Sequence, residues 1–242
     1  MRETEQSSRA FDVSENTYES EKTEKKQKIV RNEFIRTGRF GIPLVKKQDI
    51  DLRGIDLWCY VKTKPDDSEN AHKTIHFFTY DWYFETVYQK PEVALEKLDQ
   101  YYALLTPGFS CYLDMPLALQ LYSTFKNRWC GAFWQKQGMR VIPTIEWGDA
   151  RSFEFCFDGI EKGGVVAVAT YCREDCKPEF MLGYNKMLEV IKPSAVVCYG
   201  EPFAEMRGNV IAVSPYKDLI EKIGKAEFLR RKATGEEMYP SN

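Results

Sequence analysis

A chain of 242 residues with 43% hydrophobic and 14% aromatic content can bury a full core, and its length fits one large domain better than two small ones. Its 34 basic and 36 acidic residues nearly cancel, which excludes a global field drawing the protein onto nucleic acid or an anionic membrane. Residues 1–10 lack the apolar stretch of a secretory signal and no run of about 18 apolar residues occurs, so a cytoplasmic location without a membrane partner is expected.

Residues 1–30 are rich in Glu, Lys, Ser and Thr and poor in large apolar side chains, so burial there cannot offset the entropy of ordering. The expectation is a disordered or loosely helical charged tail at 1–30 and a single α/β domain at 31–242. The basic residues between 22 and 39 are interspersed with glutamates and read as a solvated run rather than a phosphate contact. Seven cysteines, an odd number, stand at Cys59, Cys111, Cys130, Cys156, Cys172, Cys176 and Cys198, four of them in apolar patterns; reduced, buried thiols are expected.

Past Phe40-Gly41-Ile42-Pro43, short apolar runs alternate with segments of helical period. Strands are expected at 57–61 and 75–79, with 40–45 as a further candidate. A helix starting near Pro91 would bury Leu95, Leu98, Tyr102 and Leu105 and stop at Thr106-Pro107-Gly108. After a strand at 110–113 comes the clearest helix, 116–137, in which Leu117, Leu121, Phe125, Trp129 and Phe133 form an i, i+4 stripe. Pro116 suits its first turn and Gly138 its C′ position.

A strand at 140–146 is followed by the apolar run 153–157, which reads as a short helix capped by Asp149 or Ser152, because a parallel crossover needs about a dozen residues. A strand at 165–170 leads to a helix at 179–191 that buries Phe180, Tyr184, Met187, Leu188 and Ile191 and is closed by Pro193. Strands at 195–199 and 210–213 and a last helix, capped by Ser214 ahead of Pro215 and carrying Leu219, Ile220, Ile223 and Phe228, complete the chain. Most of these strands are too apolar for a sheet with one wet face. The pattern fits a compact or incomplete parallel (β/α) barrel of the TIM type, with a doubly wound open parallel sheet as the alternative.

The blocks Asp114-Met115-Pro116-Leu117, Asn127-Arg128-Trp129, Val141-Ile142-Pro143-Thr144, Trp147-Gly148 and Cys156-Phe157-Asp158-Gly159-Ile160 resemble the bacterial and phage domain-of-unknown-function family 4417 (DUF4417). The resemblance covers roughly 40–213. It implies a home in bacteria, their phages or mobile elements, and it implies no reaction.

In parallel α/β folds the carboxyl ends of the strands converge on one face, where loops meet the ligand. That rule nominates Asp81, Asp114, Glu146 with Trp147, Thr170, and Tyr199 with Glu201. Two carboxylates can divide general acid and base work, so Asp114 is expected as base or ligand anchor and Glu201 as its acid partner. Trp147 and Tyr199 would supply a stacking wall, and Asp81, Glu146, Thr170 and Arg128 further ligand contacts. Each residue also has a local reading: Asp114 as a helix cap, Asp81 as a turn former, Glu201 in solvent, Arg128 as a solvated helical cation.

No metal site is expected. His72 and His76 stand four apart, but on a strand that spacing is about 13 Å, and Cys172 and Cys176 lack a second half-site. No nucleophilic triad is indicated and the sequence names no cofactor. The leading expectation is a domain that binds, and can hydrolyse, a small polar ligand such as a sugar or nucleotide. The alternative is a non-enzymatic phage or mobile-element accessory protein that holds a host protein or nucleic acid.

Overall fold

The computed structural model describes residues 22–23, 25–26, 28–171, 174–217, 220 and 223–234. The chain divides into two compact units, Met1–Ile35 and Arg36–Asn242. In the first, residues 28–30 are helical and exposed; most of the expected tail lies outside the described residues.

The second unit opens with a hairpin of β1 (Arg36–Thr37) and β2 (Ile42–Pro43), turned by Gly38 and Gly41 at φ 66° and 67°. Parallel strands follow: β3 (Leu57–Cys59), β4 (Thr74–His76), β5 (Ala103–Leu105) and β6 (Val141–Ile142) form one sheet, and β7 (Val165–Ala169), β8 (Ala195–Tyr199) and β9 (Val210–Val213) another. The two sheets meet at a parallel bridge between Thr144 and Ala167, where Ile145 N–H donates to the Ala167 carbonyl and Ala167 N–H to the Pro143 carbonyl, both at 2.9 Å. Spatial order follows chain order, with none of the reversal that a doubly wound sheet requires. Segment 40–45 belongs to the hairpin and adds only a bridge from Val45 to Ile160.

Helices fill the connections: α1 (Thr86–Gln89), α2 (Pro91–Leu98), α3 (Leu117–Lys136), α4 (Lys177–Ile191) and α5 (Lys225–Thr234). Alternation along the strands sends side chains to two cores. Val166, Val168, Val196 and Cys198 face Phe180, Tyr184 and Met187 of α4, whereas Leu57, Leu105, Ile142, Ala167, Val197 and Val213 share an inner core. Ile50, Leu52 and Ile55 join that inner core from the segment ahead of β3. Tyr102, just before β5, pins this segment at the amino ends of the strands by accepting from Asp51 N–H at 3.2 Å.

Two expected elements differ. Residues 110–113 form no strand; the third strand is Ala103–Leu105, in a stretch expected to continue the preceding helix. Ala and Leu favour a helix, but pairing with β4 on one side and β6 on the other, with every side chain buried, overrides that preference. The helix stops at Leu98, and Gln100 holds the turn by donating to the carbonyls of Lys64 and Lys97 at 2.8 Å. The short helix after β6 is a 3-10 turn at Ala150–Glu154, where Asp149 accepts from Arg151 N–H as the expected cap. Gly138, at φ 84°, ends α3 as anticipated. Among the described residues, no helix is long and apolar enough to cross a membrane.

Helix α3 departs from a simple amphipathic stripe. Gln120, Thr124, Asn127 and Arg128 are buried along with Trp129 and Phe133. The polar members complete backbone groups left open where β5 and β6 end: Asn127 donates to the carbonyls of Pro107 at 2.8 Å and Thr144 at 3.1 Å. A polar face is buried because the strand ends supply its partners.

Candidate functional site

Beyond the carboxyl ends of β4, β5 and β6, three segments come together. Asp81 accepts from Ser110 N–H at 3.0 Å and from Ser110 Oγ at 2.9 Å, tying the turn after β4 to the loop after β5. The Glu146 carboxylate lies over Gly108, where a Cβ would sit 3.1 Å from its Oε1. Cys111 feels both acids: burial pushes its thiol up strongly, Glu146 adds to the rise, and Asp81 contributes less.

Next to them is a cleft of about 270 Å³. Asp114 and Tyr112 line it from the loop before α3, Trp147 and Gly148 from the end of β6, and Glu179 and Phe180 from the first turn of α4. Asp114 is exposed, and α3 starts at Pro116 without a side-chain cap bond, so the aspartate is not spent as a helix cap. Trp147 is buried against Phe180, with ring centroids 5.1 Å apart, and presses on Gly183, where a Cβ would fall 2.2 Å from the indole Nε1. Beneath Gly148 lies Gln120. Its amide nitrogen donates to the carbonyls of Met115 at 2.8 Å and Tyr112 at 3.2 Å, which fixes the amide's orientation. The buried Oε1 then has no partner and sits 2.4 Å from where a Gly148 Cβ would be.

The remaining expected residues gather elsewhere. Tyr199 stacks on Phe78 at 5.0 Å and lies tilted against His76 at 4.6 Å. Thr170 is buried and donates to the Glu201 main-chain carbonyl at 2.8 Å. The Glu201 side chain is exposed, and Glu201 is not among the described residues lining the cleft. Arg128 is neither solvated nor open to the rim: it is 1% exposed and donates to the carbonyls of Asp158, Thr144 and Cys156 at 3.1, 3.0 and 2.7 Å. Burial lowers its pKa to about 10, which leaves it charged at neutral pH.

Glu179 and Gln120 were not nominated from the sequence. Glu179 looks like an ordinary acidic first-turn residue behind Pro178 and Gln120 like a polar helical position; the tertiary fold brings Glu179 to the cleft and buries Gln120 under Gly148. Of three larger hollows, one of about 660 Å³ lies beside Lys177, Met181 and Arg207, and two, of about 750 and 580 Å³, lie at the opposite end around Asp49, Tyr102 and Arg140. These two are wide open and sit at the amino ends of the strands, where parallel α/β folds place stability rather than ligand contacts. The Cys172–Cys176 question falls partly outside the described residues at Cys172, and the described cysteines carry no disulfide.

The thiols give a measurable consequence. Burial raises Cys156 to about 12 and pushes Cys111 up in the same direction. At pH 8, iodoacetamide is expected to label both slowly in the folded chain and rapidly in urea, as peptide mass spectrometry would show; fast native labelling of Cys111 would contradict its burial. The sign for stability follows: the folded chain keeps these protons after the unfolded chain has lost them, so stability falls as pH climbs past about 8.5.

The sequence profile of the family described as Domain of unknown function (DUF4417) matches residues 34–217. The "Gene 1 protein" of Mycobacterium phage L5 is 33% identical over 175 residues, covering 71% of this chain and 76% of that protein. The "Gene 1 protein" of Mycobacterium phage D29 is 40% identical over 129 residues, covering 52% of this chain and 48% of that protein. No solved structure matches. With the profile spanning most of the parallel α/β unit and phage proteins among its relatives, the chain belongs to the DUF4417 family of unknown function.

Proposed function

We propose that the second unit is an incomplete (β/α) barrel that binds a small polar ligand in the cleft at the carboxyl ends of β5 and β6. The barrel reading draws on the sequential strand order and on the inner core shared by Leu57 near one end of the series and Val213 at the other. The binding reading rests on one observation above the rest: Asp114, Trp147 and Glu179, from three separate segments, line one cleft.

Glu179 takes the role first expected of Glu201, since it lines the cleft opposite Asp114. Two carboxylates in one cleft have the capacity for acid–base hydrolysis, one accepting a proton from water and the other donating to the leaving oxygen. The test is a thermal-shift screen of the full chain against sugars, nucleotides and amino acids, repeated with Asp114→Asn and Glu179→Gln. A compound that stabilises the native chain and loses about tenfold or more in affinity with either variant supports the reading. A screen without any Asp114-dependent compound ends it.

A further inference from the structure

We infer that the ligand of this cleft is a neutral oligosaccharide, and that its further sugar units lie on an exposed aromatic shelf formed by Tyr80, Trp82 and Tyr83. The inference deepens the ligand-binding reading and rests on it. The three rings are 61%, 68% and 51% exposed, an unusual outlay of apolar surface for residues crowded into one turn. Tyr80 and Trp82 stack at 4.3 Å with their planes 7° apart, presenting a flat slab.

The shelf is held in place before any ligand arrives. Tyr83 N–H donates to the Tyr80 carbonyl and Phe84 N–H to the Asp81 carbonyl, both at 3.0 Å. Phe84, fully buried, anchors the turn from below against Phe77 and Phe109. The same turn connects to the cleft through a chain of polar contacts: Asp81 bonds Ser110 Oγ, and Ser110 Oγ bonds the hydroxyl of Tyr112, which lines the cleft. Groups already fixed in place lose little entropy on binding.

Charge chooses between the sugar and the nucleotide. Asp114 and Glu179 line the cleft, and among the described residues no lysine or arginine lines it. The nearby Lys126 is already paired with Glu85 at 2.9 Å and lies 3.9 Å above the Phe109 ring. A phosphate would meet carboxylates without a counter-charge, and single-stranded nucleic acid needs a basic groove beside its stacking rings. Sugar hydroxyls are donors, which carboxylates accept, and the C–H faces of pyranose rings are apolar enough to lie on Tyr and Trp.

The experiment is a printed array of neutral oligosaccharides probed with the full chain, followed by calorimetry on the best binder with Trp82→Ala, Trp82→Phe and Asp114→Asn. The expected result is array binding that weakens about tenfold in Trp82→Ala, recovers in part in Trp82→Phe, and also falls in Asp114→Asn. A silent array overturns the inference, as does sugar binding that ignores Trp82→Ala. Binding of AMP, UMP or a single-stranded oligonucleotide in place of sugars overturns it too. An Asp114-dependent nucleotide would leave the cleft reading standing while removing the sugar, whereas an oligonucleotide held by Trp82 alone would favour the accessory-protein alternative.

Discussion

Replacing Arg128 with methionine is expected to lower the unfolding free energy by about 3–5 kcal/mol, among the largest losses any single substitution here would give. The guanidinium spans three carbonyls that belong to the end of β6 and to the loop after it, and it also donates to Asn127 Oδ1 at 2.5 Å. Methionine fills much of the volume and supplies no donor, so the carbonyls of Thr144, Cys156 and Asp158 lose a buried partner together. Lysine is expected to rescue little, because one ammonium cannot reach a fork of three acceptors. Urea unfolding followed by circular dichroism measures the effect. Arg151→Met is the control: Arg151 pairs with Asp149 at 2.6 Å but is 64% exposed, so its loss should leave the urea midpoint nearly unchanged. Equal shifts for the two variants would show that the Arg128 fork contributes nothing special.

Gly183→Ala is expected to disturb the cleft and the fold together. The new methyl would come within 2.2 Å of Trp147 Nε1 and 2.4 Å of Cδ1 and Cε2. The indole cannot retreat freely, being 5% exposed and packed on Phe157 and Phe180. Overpacking of this kind costs about 1–3 kcal/mol, and the relief available is to push Trp147 toward the cleft it lines. Thermal melts should therefore show a lower Tm, and near-ultraviolet circular dichroism a changed tryptophan signal. Leu182→Ala, one residue away on the same helix and 56% exposed, should leave both within about 0.5 kcal/mol of the parent. An unchanged tryptophan signal in Gly183→Ala would mean that the helix, not the indole, gives way.

Much of the architecture is written in local residue patterns. The runs at 165–169, 195–199 and 210–213 are rich in valine and bounded by glycine, proline or polar residues, and they are strands for that reason. Trp147 was legible as a cleft residue because a general rule about parallel strands places it at their carboxyl ends, whereas Asp114 was nominated as the end of a strand at 110–113 that does not form and reaches the cleft from a loop. Ala103–Leu105 was not legible, because its strand state comes from neighbours on either side rather than from its own preference. Arg128 was nominated as a ligand contact and its buried role went unread for a related reason: its partners are carbonyls 16 to 30 positions away, and main-chain atoms carry no residue-specific mark. That Glu179 rather than Glu201 lines the cleft with Asp114 depends on how α4 sits over β7 and β8, a relation that no spacing within either segment encodes.

Ile50, Leu52 and Ile55 are packed into the inner core ahead of β3. The stretch at 46–56 has no helix or strand of its own, yet it is fastened by burial to strands of both sheets. It behaves as part of the core rather than as a loose connection, so severing it should slacken both sheets together.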